Sequence, residues 1–87
     1  MATYRVLLKE SVRKDLRGVP RGVLLRILDR IAALAEDPRP HGCEKLSAQE
    51  RYRVRVGAYR IVYTIHDEVL EVWVVRVGHR RDVYPHE

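Results

Sequence analysis

Between residues 52 and 63 the chain alternates. It runs Tyr52-Arg53-Val54-Arg55-Val56, breaks at Gly57-Ala58, and resumes as Tyr59-Arg60-Ile61-Val62-Tyr63. Alternation on both sides of a two-residue break predicts a β-hairpin. With Gly57-Ala58 as the loop, Val56 faces Tyr59, Arg55 faces Arg60 and Arg53 faces Val62. Side chains alternate with period two, so Arg53, Arg55, Arg60 and Val62 share one face. The other face carries Tyr52, Val54, Val56, Tyr59, Ile61 and Tyr63, and is the expected core.

Upstream, residues 4–8 form a β-rich run ended by Lys9-Glu10. Ser11 is placed to cap a short helix turning Val12, Leu16 and Val19 inward, with Gly18 and Pro20 as its punctuation. A second helix follows from the spacing of Leu24, Ile27, Leu28, Ile31, Leu34 and Ala35; Arg21, Arg26, Asp29, Arg30 and Glu36 take its opposite side. Pro38 ends it. Residues 37–49, with Pro38, Pro40 and Gly42, read as a connecting loop. After the hairpin, Asp67-Glu68 reads as a two-residue turn into an apolar central strand, residues 69–77, stopped by Gly78. That turn would pair Val62 with Trp73, Arg60 with Val75 and Ala58 with Val77, returning the strand to the hairpin tip, where His79, Arg80 and Arg81 emerge. The strand of residues 51–56 would then have a neighbour on one side only. The order is β-α-α-β-β-β: an α+β fold in which a small, mainly antiparallel sheet packs on a two-helix layer, within a single domain of residues 1–87.

The arginines give this pattern a chemical meaning. Opposed Cβ atoms sit ~5 Å apart. Placing Arg55 against Arg60 costs about 1 kcal/mol with the heads in water and about 3 if they are partly desolvated. Stability alone gives no reason for Arg53 on the same face; a polyanion lying across it does. The chain as a whole agrees: 87 residues carry 17 Lys plus Arg against 12 Asp plus Glu, a formal charge of +5. Most of these cations are arginine, whose planar fork matches phosphate and stays charged. Eighty-seven residues bury roughly two thirds of their unfolded surface, enough for one modest core.

Other chemistry is thin. The lone Cys43 excludes an internal disulfide and suits a reducing compartment. The longest apolar run, residues 31–35, is far too short to span a membrane, so a soluble cytoplasmic protein with no membrane partner is expected. Four scattered histidines give no metal-ligand spacing, and no Gly-rich phosphate loop is present, so neither metal nor cofactor is expected. Tyr52, Tyr59, Tyr63 and Trp73 read first as packing residues.

Two strings, Tyr-Arg-Ile-Val-Tyr ending at Tyr63 and Val-Gly-His-Arg-Arg-Asp-Val-Tyr ending at Tyr84, with the two-helix segment before them, resemble the RelE toxins of the RelE/ParE toxin–antitoxin superfamily. The resemblance covers nearly the whole chain. It implies a ribosome-dependent endoribonuclease that cuts messenger RNA in the A site by 2′-hydroxyl attack, and a cognate RelB-like antitoxin that silences it. It further implies that Arg60 and Arg80 hold and neutralise the phosphate, that Arg53 and Arg55 add charge beside it, and that Tyr84 is the base or stacks on one. Arg81 and His79 would contact RNA, with His79 a second candidate for the base. Some RelE members carry lysine where this chain has Arg53 and Arg55, and a guanidinium effectively cannot exchange protons. The same superfamily offers a second reading, a ParE-like toxin that inhibits DNA gyrase by binding without cutting RNA. An inactive basic RNA-binding module is the third.

Overall fold

The hairpin forms in the expected register. In this computed structural model, which describes residues 3–47 and 49–79, β3 (Arg51–Val56) and β4 (Tyr59–His66) pair antiparallel. Val56 lies opposite Tyr59, Arg55 opposite Arg60 and Arg53 opposite Val62. Gly57 turns the chain at φ +59, a region where a Cβ costs about 1–2 kcal/mol. A Cβ there would also sit 3.1 Å from Arg26 Nη2. Gly57→Ala should therefore lower the urea midpoint without changing the slope of the transition.

The remaining elements are β1 (Arg5–Leu8), α1 (Glu10–Arg17), α2 (Arg21–Ala33), β2 (Glu44–Ser47) and β5 (Glu71–His79). Five strands form one sheet in the order β1-β5-β4-β3-β2; β1 is parallel to β5 and the other pairs are antiparallel. As the pattern predicts, β5 is flanked on both sides. Four details differ from the sequence reading, the first being that β5 runs through Gly78 to His79 instead of stopping at the glycine. The segment expected to be wholly loop contains β2, so β3 is an interior strand. No Ser11 cap forms: Lys9 precedes α1 in extended conformation, and its carbonyl accepts from Val12 N at 2.9 Å. Leu28, expected inside, is 40% exposed.

The third strand also slides in register. The connection after β4 is a four-residue turn, residues 67–70, with Leu70 at φ 53. The two extra residues shift Thr64 onto Trp73. A β-bulge at Val75 then shifts the pairing once more, setting Val62 opposite Arg76, Arg60 opposite Gly78 and Tyr59 opposite His79.

Helices and sheet meet over Val12, Val19, Ile27, Ile31 and Leu34 on one side and Val54, Ile61, Tyr63, Ile65, Val72, Val74 and Val77 on the other. Beyond Leu8, which pairs with Val74, β1 no longer covers β5. There Asp15 of α1 substitutes, its carboxylate accepting from Val77 N at 3.0 Å.

At the far end of the sheet an ion network fixes the loops. Arg39 donates to Glu50 at 2.7 Å, to Asp67 at 2.9 Å and to the Tyr52 hydroxyl at 3.1 Å, with its guanidinium 5.3 Å from the Tyr52 ring centre. Tyr4 adds a 2.6 Å bond to Asp67, and Lys45 pairs with Glu50 at 2.7 Å. Hydrogen bonds from Lys45 and then Arg39 hold the Glu50 carboxyl down at about 2, and Arg39 followed by Tyr4 holds Asp67 below its ordinary value. Carboxylates with depressed folded pKa values stabilise the fold above their unfolded values of ~4 and lose that contribution as pH falls through the folded ones. The melting temperature should therefore decline between pH ~4.5 and ~2, and Arg39→Gln should flatten that decline.

Candidate functional site

The face of the sheet turned away from the helices is where the arginines gather. Cross-strand rows follow directly from the register. One row runs Glu44, Arg53, Val62, Arg76; the next, toward the hairpin tip, runs Arg55, Arg60, Gly78. The sequence reading thus places Arg53, Arg55 and Arg60 together, and the structure agrees. Their settings differ. Arg55 is exposed, whereas Arg53 and Arg60 are only 3% and 4% exposed. Arg55 forms the rim of the site and Arg60 its floor. A cation held out of water is screened less, so its field acts more strongly on an anion bound above it.

Arg53 is engaged by Glu44, whose Oε2 lies 2.6 Å from its Nη2. That pair neutralises part of the charge the hairpin pattern promises, and strand β2, which the sequence reading missed, creates it. Arg76 was missed too. Its signal was the Val74-Val75 doublet: buried Val72 and Val74 followed by buried Val77 break period two, as a bulge requires, and the break turns Arg76 onto the arginine face. Val62, fully buried yet outside the main core, lies between Arg53 and Arg76 in their row.

His79 goes elsewhere. It pairs with Tyr59, and the two rings meet edge-on with centroids 5.6 Å apart. Tyr59 packs against the core, so the His79 ring lies on the helix side of the sheet, across the backbone from Arg60. It lines a cleft of about 200 Å³ with Asp15, Val19, Tyr59 and Gly78. Alternation breaks at Gly78, so the sequence leaves the direction of His79 open, and its pairing with Tyr59 sets it. Arg80, Arg81 and Tyr84 lie outside the described residues.

The tyrosines of the hairpin are structural. Tyr52 and Tyr63 are buried and stacked with centroids 6.0 Å apart, and the Tyr63 hydroxyl donates to the Pro38 carbonyl at 2.8 Å. Burial, and then neighbouring Cys43, push the Tyr63 phenol above its ordinary value, which keeps it neutral.

The site is a guanidinium-lined sheet face on a small α+β fold. The family model described as the ParE toxin of type II toxin-antitoxin system, parDE, matches residues 6–84. Toxin RelG of Mycobacterium tuberculosis is 30% identical over 83 residues, spanning 93% of this chain and 95% of that one. The chain therefore belongs to the ParE toxin family of type II toxin–antitoxin systems, within the RelE/ParE superfamily. Solved structures agree. The RelE–RelB complex of the archaeon Pyrococcus horikoshii OT3 superposes with a TM-score of 0.82 at 27% identity, covering 90% of this chain and 96% of that one. The RelBE2 toxin–antitoxin complex of Mycobacterium tuberculosis gives 0.77 at 28% identity, covering 90% and 99%. Among the described residues no helix is long and apolar enough to cross a membrane.

Proposed function

We propose that this toxin is an endoribonuclease that cuts messenger RNA on the ribosome, acting in the cytoplasm and silenced by a RelB-like antitoxin. The observation that carries the reading is the clustering of Arg53, Arg55 and Arg60 with Arg76 on one sheet face. The solved RelE relatives in complex with RelB antitoxins support it. In the reaction, a 2′-oxygen attacks the adjacent phosphorus while the P–O5′ bond breaks. The 2′-hydroxyl proton passes to a base and the departing 5′-oxygen takes up a proton, leaving a 2′,3′-cyclic phosphate and a 5′-hydroxyl. Extra negative charge builds on the phosphoryl oxygens, and guanidiniums placed there stabilise it in the transition state more than in the ground state. Arg55 and Arg60 fill that role, the family resemblance assigns it to Arg80 as well, and Arg53, oriented by Glu44, adds to the field.

The match to the ParE family model supports a second reading, inhibition of DNA gyrase by binding. One experiment separates them. Expression without antitoxin should arrest growth, co-expression of the neighbouring small acidic protein should relieve the arrest, and sequencing of RNA ends should show cuts within A-site codons. Intact messenger RNA with gyrase-dependent DNA breaks would transfer the chain to the second reading.

A further inference from the structure

Beyond the arginine corner the same sheet face continues through the row Arg51, Thr64, Trp73, Leu7. Trp73 is half-buried there, against the sequence expectation of a core residue. Its indole Nε1 donates to Glu71 Oε1 at 3.1 Å, and Glu71 Oε2 pairs with Arg5 at 2.7 Å, so the polar edge of the ring is fixed. Two residues further along β5, at Val75, opens a cleft of about 360 Å³ lined by Lys9, Ser11, Asp15, Arg51, Val75 and Arg76. Three of these residues are cations. The one carboxylate is already engaged by Val77 N. Among the described residues nothing accepts from the buried Arg51 Nε, and a buried donor left unpaired is costly until something accepts from it. Among the described residues this face carries six arginines (residues 5, 51, 53, 55, 60 and 76) and two glutamates, Glu44 and Glu71, each paired with an arginine.

We propose that this region is a second nucleotide subsite for single-stranded RNA, in which a base stacks on Trp73 and its phosphate enters the cleft of Lys9, Ser11, Arg51 and Arg76. The proposal rests on the RNA-cleavage reading and extends it: it says where the strand flanking the cut lies. Thr64 stands four residues from Arg60 along β4, about 13 Å at the rise of a strand, a span that an RNA backbone crosses in a few nucleotides. A positive groove interleaved with a fixed aromatic ring is how proteins hold single strands without reading sequence. An acidic polypeptide would also satisfy the arginines, and an indole suits a protein partner as well, so binding of poly-glutamate is the competing outcome of the test.

Trp73 is the single tryptophan of the chain, so its emission reports on the subsite directly. Titrating the full chain with octa-adenylate RNA should quench and shift that emission. Inorganic polyphosphate and poly-glutamate, matched for charge, should leave it unchanged. Trp73→Leu should weaken binding of labelled octa-adenylate about tenfold, the effect of losing one stacked base. Arg51→Gln, which spares the packing, should weaken binding and flatten its dependence on salt. Equal quenching by polyphosphate or poly-glutamate, or RNA binding unaltered in both variants, would overturn the subsite. The cleavage reading is scored separately on ribosomes. Arg60→Ala protein that no longer cuts yet still shows RNA quenching supports the subsite. Wild-type protein that quenches with RNA but leaves ribosome-bound messenger intact sinks the nuclease reading and keeps the subsite.

Discussion

Arg60→Ala should lower single-turnover cleavage of ribosome-bound messenger RNA by about 10²–10³, the usual cost of losing one preorganised contact to a developing oxyanion. Arg60 is 4% exposed and faces Arg55 across the hairpin, so its removal has two structural effects of opposite sign. It relieves a like-charge pair and leaves a void beneath the site. Circular dichroism melts should therefore accompany the rates, and Arg60→Lys provides the sharper comparison. Lysine keeps the charge but loses the planar fork that grips two phosphate oxygens. It should recover stability and little of the rate. Arg55→Ala, at the exposed rim, should leave the melt unchanged or slightly raised while weakening the reaction less than Arg60→Ala does. Wild-type cutting by a folded Arg60→Ala protein would remove Arg60 from the site.

What the sequence reveals about this site depends on how local the determinants are. The β3–β4 register is legible because alternation and a glycine turn lie within twelve residues of one another, and a slip of one position would bury Arg53 and Arg55 in the core. The β4–β5 register is not. It hangs on a turn in which Leu70 takes a positive φ, a conformation no propensity assigns to leucine, and on a bulge betrayed only by two consecutive valines. That slip of register decides whether Val75 or Gly78 stands beside Arg60, and it turns Arg76 onto the arginine face. Strand β2 escapes notice for a different reason. Glu44-Lys45-Leu46-Ser47 has no β-branched or aromatic residue and forms by pairing with β3, not from its own preference. Because β2 was missed, so was Glu44, and Arg53 read as an open cation when it is a paired one. Charge content predicts a polyanion partner; only tertiary pairing reveals how much of that charge is already spoken for.

The proton acceptor is the remaining choice, and geometry now bears on it. The strand arginines cannot take a proton, and the His79 ring turns to the helix side against Tyr59. We propose Tyr84, which lies outside the described residues, as the base. A phenol with an ordinary pKa of about 10 becomes a useful base when neighbouring guanidiniums favour its phenolate. Tyr84→Phe should then cut about 10²–10⁴ more slowly while binding ribosomes normally, and His79→Ala should cut at close to the wild-type rate. The pH profile adds an independent readout. With a phenolate base the wild-type rate climbs as pH rises toward the pKa of the phenol, and that climb should vanish in Tyr84→Phe and persist in His79→Ala. Near-normal cutting by Tyr84→Phe with collapse in His79→Ala would move the base to histidine and require the β5 terminus to turn over when RNA binds. Near-normal cutting by Tyr84→Phe with loss only in Tyr84→Ala would make Tyr84 a stacking residue, since phenylalanine keeps the ring and gives up only the hydroxyl.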